Sequence, residues 1–300
     1  MKDLPFIARP VLVILFIALF ACHKSVSNSQ QQTDTLIEQD SALMVMADSP
    51  AAPIAPYPQT PLTGCANDPG YGDSIIYSQP TNGQDYIVNP VNNPGSGKYL
   101  SWPAGLVIDS MTGAIDITGS ETGERYAIGF VKTGTTDTCL TELIIGGASY
   151  MDSIYVLDQN QGQAVPYFDA NPNLNAICSG TGNGGPSCSF DVTGSASNHK
   201  LVIDKSTGVI DLKKSLNGIF GSHPVNGQTA AITIYYQLND ASNLALQHVL
   251  VDMVYYDSQS AMSAGLVGKI KNKHAQEIAG LLIAPGANPR PPLIVLVRRL

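Results

Sequence analysis

The residues best able to do chemistry are four cysteines, a repeated aspartate–threonine–glycine set and a few histidines. Cys65, Cys139, Cys178 and Cys188 all follow residue 60. Thiols can form disulfides, ligate zinc or act as nucleophiles. No C-x-x-C pair or nearby histidine cluster is present to build a zinc site. Cys178 and Cys188 bracket the stretch S-G-T-G-N-G-G-P-S and are expected to pair. Closing so short a loop stabilises by about 3 kcal/mol in the chain-entropy model. Cys65 and Cys139 then pair by elimination. His23, His199, His223 and His248 cluster with nothing, and His274 and Glu277, three apart, read as a surface pair. There is no G-x-S-x-G elbow and no phosphate-binding loop. The glycine run from Gly180 to Gly185 lies between two cysteines and precedes no helix. The expectation is a protein that is not an enzyme.

The aspartate set sits in a block that occurs twice. Leu106 to Ile117 reads L-V-I-D-S-M-T-G-A-I-D-I, and Leu201 to Leu212 reads L-V-I-D-K-S-T-G-V-I-D-L, with eight of twelve positions identical. A repeated strand–turn–strand unit means repeated modules. Asp109 can accept hydrogen bonds from the turn backbone, and Thr112 can do so more weakly. Gly113 is expected at positive φ, which costs other residues energy. Asp204, Thr207 and Gly208 repeat the set. A second match, Asp73-Ser74-Ile75 with Asp152-Ser153-Ile154, lies at an offset of 79, whereas the blocks lie at 95. The second module therefore carries an insertion, placed at the Cys178–Cys188 loop.

Around these blocks run short β-branched or aromatic segments separated by Gly, Asn, Asp and Pro. Charged residues are 13% of the chain, with 28 Gly and 20 Pro. This composition suits a turn-rich β protein of about two domains. Many short strands per hundred residues point to aligned β-sandwiches. From Ser258 the pattern changes. Leu266, Ile270, Ile278, Leu281 and Leu282 fall near helical spacing with three lysines elsewhere on the wheel, Pro285 and Pro289 end the helix, and Leu293–Val297 is an apolar strand expected to pair with a sheet edge of the second module, the alternative being a partner. Tyr235-Tyr236 and Tyr255-Tyr256 each place one ring inward and one outward. Trp102, the single tryptophan, reads as core.

The N-terminus has a secretory pattern: Lys2 and Arg9, then the apolar run Val11 to Phe20, too short to span a bilayer comfortably. Leu19-Phe20-Ala21-Cys22 resembles the lipobox of bacterial lipoproteins, with Leu19, Ala21 and Cys22 fitting and Phe20 bulkier than usual. The resemblance implies that Cys22 becomes the lipidated N-terminus. A Ser-, Gln- and Pro-rich stretch then reads as a tether. Between residues 22 and 257 there are 8 basic and 22 acidic residues, a net of −14, which argues against a nucleic-acid partner.

Trp102-Pro103-Ala104-Gly105-Leu106-Val107-Ile108-Asp109, continuing to Thr112-Gly113-Ala114-Ile115, resembles the L-P-x-G-L-x-I-D-x-x-T-G-x-I pattern of bacterial putative-Ig and cadherin-like repeats. Gly123 and Tyr126-Ala127-Ile128 fit that family's next strand. The resemblance covers roughly residues 70–257. It implies an all-β fold of two tandem Ig-like/cadherin-like β-sandwiches with a short mixed C-terminal tail: 1–21 signal peptide, 22–68 tether, 69–149 first domain, 150–257 second domain, 258–300 basic tail of helix plus strand. Cadherins bind calcium at such junctions. Asp158 and Asn160 resemble part of that linker, so calcium is the one cofactor considered and no other is expected. The expected role is adhesion, scaffolding or protein–protein interaction in the bacterial envelope. The chain would be anchored to a lipid bilayer, at the outer membrane, through Cys22. The alternative is a carbohydrate-binding accessory lipoprotein of a glycan-uptake system, and the partner is then a glycan rather than a protein.

Overall fold

The computed structural model describes residues 68–92, 94–174, 177–179, 188–278 and 292–300. Cys22, Cys65, the signal peptide, almost all of the tether and most of the Cys178–Cys188 loop lie outside them. The described chain is mostly β-strand in several sheets, with few helices.

In the first module the strands are β1 (Ile75–Ile76), β2 (Ile87–Val88), β3 (Gly97–Trp102), β4 (Val107–Ile108), β5 (Ile115–Asp116), β6 (Glu124–Lys132) and β7 (Thr138–Ile145). They form a four-stranded sheet in the order β1-β7-β6-β3 and a three-stranded sheet in the order β2-β5-β4. β1 runs parallel to β7, and the other pairs are antiparallel. Alternation decides what fills the space between the sheets. Tyr126, Ile128 and Phe130 of β6 and Tyr99 of β3 meet Ile115, Ile117 and Leu106 in one apolar cluster. Trp102 is fully buried, as expected, but three residues on from Tyr99 it lies on the opposite face of β3, against Ala127 and Leu140.

The second module follows through β8 (Ala148–Tyr150), β9 (Ser153–Val156), β10 (Gln163–Ala164), β11 (Pro166–Phe168) and β12 (Ser189–Phe190). It continues with α1 (Ser195–Asn198), β13 (Ile210–Asp211), α2 (Leu212–Phe220), β14 (Gln228–Gln237) and β15 (Gln247–Ser258). It ends with α3 (Ala264–Ile278) and β16 (Leu293–Arg299). β12-β14-β15-β16-β9 make a five-stranded sheet, and β10 pairs with β13. The extra residues fall between β10 and β12, where β11 and the Cys178–Cys188 disulfide lie.

Four expectations change here. Leu212 was expected in a strand but opens α2, because the Asp211 carboxylate caps the helix by accepting the Lys214 N–H at 3.0 Å. β16 was expected at a sheet edge. Instead it lies between β15 and β9 and runs parallel to both. Buried on both faces, it has the unbroken apolar run Leu293–Val297 that such a strand requires. Finally, α3 covers the outer sheet face, where Leu266 and Ile270 pack on Val254, Tyr256, Leu293, Val295 and Val297. Tyr255 and Tyr256 are therefore both buried, whereas Tyr235 keeps a half-buried ring tilted against His248. Ile278, expected on the apolar stripe, is exposed, and its place is taken by Lys273 and Glu277. Leu281 and Leu282 lie outside the described residues.

Candidate functional site

The repeated turns have the geometry their residue types imply. Asp109 Oδ1 accepts the Met111 N–H at 2.9 Å, the Thr112 N–H at 2.7 Å and the Thr112 hydroxyl at 2.9 Å. Asp204 Oδ1 accepts the Ser206 N–H at 2.9 Å, the Ser206 hydroxyl at 2.7 Å and the Thr207 N–H at 2.9 Å. These bonds favour the carboxylate, holding Asp109 below its ordinary pKa and Asp204 down to about 2. Gly113 and Gly208 sit at φ 74° and 75°. A Cβ there would also strike the ring of Tyr99 or Phe190, 2.5 and 2.6 Å away.

Two further locks repeat, and the sequence reading missed both. The Tyr71 hydroxyl donates to the Gly113 carbonyl at 2.7 Å, and Tyr150 donates to Gly208 at 2.6 Å. Ser120 Oγ accepts the Val107 N–H at 2.9 Å and donates to the Asp116 carbonyl at 2.6 Å. Ser215 does the same for Val202 and Asp211, also at 2.9 and 2.6 Å. The signal was present: the tyrosines are 79 apart and the serines 95 apart, the offsets already in hand.

Between the modules lies a polar seam. Tyr236 of β14 reaches into the first module's end, where its hydroxyl accepts the Ala148 N–H at 2.9 Å and contacts the Thr122 hydroxyl. Thr122 also lies 3.1 Å from the His248 carbonyl of β15. Glu124, 4% exposed, accepts from the hydroxyls of Ser149 at 2.9 Å and Tyr167 at 2.7 Å. Asp169 accepts the Gly147 N–H at 2.9 Å and the Tyr77 hydroxyl at 3.0 Å, and burial nevertheless raises its pKa. Beside this seam is a groove of about 550 Å³ lined by Tyr77, Arg125, Asp169, Asn171 and Asn173 over an apolar floor of Ile75 and Ile144. Arg125 pairs with Glu142 at 3.3 Å, and its Nε is buried without a hydrogen-bond partner.

A second polar cluster lies under α3. Asp152 Oδ1 takes Lys273 Nζ at 2.7 Å and the Leu293 N–H at 2.8 Å. The Asp152 N–H donates to Glu277 at 3.0 Å, and its carbonyl meets His274 Nδ1 at 2.8 Å. His274 and Glu277 are thus not a surface pair; both face the start of β9. Asp252 of β15 stands nearby, pushed up to about 6 by burial and then by the charge of Asp152, with Lys273 opposing.

Asp158 and Asn160 share one exposed turn, with Asn160 in the left-handed region. Among the described residues no group of three or more His, Cys, Asp or Glu comes together to hold a metal. Cys178 and Cys188 are bonded. Cys139 is also disulfide-bonded, and Cys65, its expected partner, lies outside the described residues. No described helix is long and apolar enough to cross a membrane.

No protein-family model matches the chain, and no curated protein matches it. A crystal structure of protocadherin gamma B7 extracellular cadherin domains 1–4 aligns with a TM-score of 0.17 and 12% identity, covering 61% of this chain and 50% of that one. This chain spans half the length of that structure, and likeness at this level carries no argument about fold or activity.

Proposed function

We propose that the chain is a non-enzymatic bacterial envelope lipoprotein: two tandem Ig-like or cadherin-like β-sandwiches on a flexible tether, serving adhesion, scaffolding or protein–protein interaction. The anchor is Cys22 in the outer membrane, and the reading needs no cofactor. The sandwich assignment is supported by related strand orders, β3-β6-β7-β1 in one module and β12-β14-β15-β16-β9 in the other, which differ by the inserted β16, around repeated turns. The observation that carries the role is the interlocked seam. Tyr236, Thr122, Glu124 and Asp169 tie the two modules into a stiff unit. A stiff unit on a tether holds a binding surface at a fixed reach, which is the task of a display protein.

Anchoring is tested by feeding labelled fatty acid to cells expressing the chain. Wild type takes up label and sediments with membranes, and Cys22→Ser does neither. Adhesion is tested with beads carrying residues 60–300, which should cluster or settle on envelope fragments. A second reading, capture of a glycan, is favoured by the groove at the seam, whose arginine and amides suit hydroxyl and carboxylate groups. Saturable glycan binding lost in Arg125→Ala, with inert beads, would move the assignment there.

A further inference from the structure

Lysine and glutamate are almost never fully buried unless paired. Here Lys273 is 2% exposed, Glu277 6% and Asp152 4%. Lys273 and Glu277 are four apart on α3, so both project from the face that carries Leu266 and Ile270 into the apolar cluster. Lys273 Nζ lies 2.7 Å from Asp152 Oδ1, and Glu277 Oε2 lies 3.0 Å from the nitrogen of the same aspartate. An amine, a carboxyl group and a second carboxyl group thus converge where water is excluded. We propose that Lys273 and Asp152 become joined, side chain to side chain, by an amide bond that the folded chain forms on itself.

The reaction runs through the neutral pair: a proton leaves Nζ and, carried by Glu277, reaches Oδ2, the carboxylate oxygen that the Leu293 N–H does not hold. The neutral Nζ then attacks Cγ of the Asp152 carboxylic acid. As the C–N bond forms, charge gathers on Oδ1, which the Leu293 N–H already meets at 2.8 Å. That N–H acts as an oxyanion donor fixed in place beforehand. The bond from Cγ to Oδ2 breaks. Oδ2 leaves as water, taking its own hydrogen and one from the amine nitrogen, and Glu277 carries that second proton across. A primary amine and a carboxylic acid become a secondary amide and one water, with no oxidant, reductant or co-substrate. The two reacting groups are held in contact by the fold, which replaces the activation such a condensation needs in solution. Asp252, on β15 beside Leu293 of β16, supplies a further carboxyl group that loses a repelling neighbour when Asp152 is neutralised. The product would fasten the start of β9 to α3.

This bond goes beyond the proposed role and does not depend on it, since adhesion and anchoring are read by other assays. The test is mass spectrometry of the full chain after folding and disulfide reduction. The expected result is a mass lower than the sequence by one water, and a branched proteolytic peptide holding Asp152 and Lys273. Lys273→Arg should show no such loss. Glu277→Gln, if its circular dichroism is native, should stay at the sequence mass far longer than wild type. Unbranched peptides spanning Asp152 and Lys273, with the full sequence mass after prolonged incubation of folded wild type, would overturn the proposal. Wild-type speed in Glu277→Gln would overturn the role given to Glu277.

Discussion

The Tyr150 hydroxyl donates to the Gly208 carbonyl at 2.6 Å across 58 residues of sequence, and Tyr71 makes the same bond to Gly113 at 2.7 Å. Tyr71 lies just before β1, Tyr150 ends β8 just before β9, and each glycine ends a repeated turn, so one bond closes the entry of each module onto its hairpin. Tyr150→Phe leaves a buried carbonyl unpaired and should cost about 1–3 kcal/mol. Tyr71→Phe should cost less, because Tyr71 is not fully buried. Urea unfolding of both variants checks the order; equal stability to wild type in Tyr150→Phe would remove the closing role.

Acid should act on the repeated turns. The Asp204 carboxyl is lowered from 3.8 to about 2 by the bonds from Ser206 and Thr207. A lowered folded pKa gives stability that is present above the unfolded value and lost as pH falls through the folded one. The loss therefore falls between about pH 4 and pH 2. Asp204→Asn should flatten that limb of the stability–pH curve while lowering stability at pH 7.

Asp252 should act in the opposite direction. Its folded pKa is raised from 3.8 to about 6, chiefly by burial. Its contribution is present below the unfolded value and lost as pH rises to about 6. Asp252→Asn should therefore stabilise the protein at pH 7 by about 1 kcal/mol after allowance for solvent screening, and have little effect at pH 3. A destabilised variant at pH 7, measured by thermal unfolding, would contradict this.

The seam should loosen without Tyr236. Tyr236→Phe strands the Ala148 N–H that now donates to the phenol oxygen at 2.9 Å. The expected cost is about 1–3 kcal/mol, with faster proteolysis between the modules. Unchanged proteolysis would mean that packing alone holds them.

Leu296, fully buried at the centre of β16, tests how deeply the C-terminal strand belongs to the sheet. Leu296→Ala should cost about 2–5 kcal/mol. A cost well below 1 kcal/mol would mean that the strand is peripheral.

The repeated turns were legible because their bonds are local: Asp109 reaches Met111 and Thr112, and Gly113 follows at once. The tyrosine and serine locks shared the same offsets but join distant segments, so no local pattern marked them. α2 was hidden because Ile210-Asp211-Leu212 copies a strand of the first module, and only the cap geometry at Asp211 turns the chain into a helix. The cluster under α3 was the least legible. A lysine on a helix ordinarily faces water, and the partner that buries Lys273 lies 121 residues away. The seam groove was missed for a similar reason: Tyr77, Arg125 and Asn171 come from three segments that only the junction brings together.

The intercalated position of β16 sets an order of events during synthesis. The first module draws its strands from residues 75–145 and can close as soon as they have emerged. The second cannot: β9 has no neighbour in its sheet until a strand held to it across 141 residues of chain arrives. Until then β9 and β15 both present open edges, the state in which a chain is most exposed to proteases and to mispairing. A chain of this design stays half folded while β16 is being made, and its vulnerable interval ends only when β16 docks.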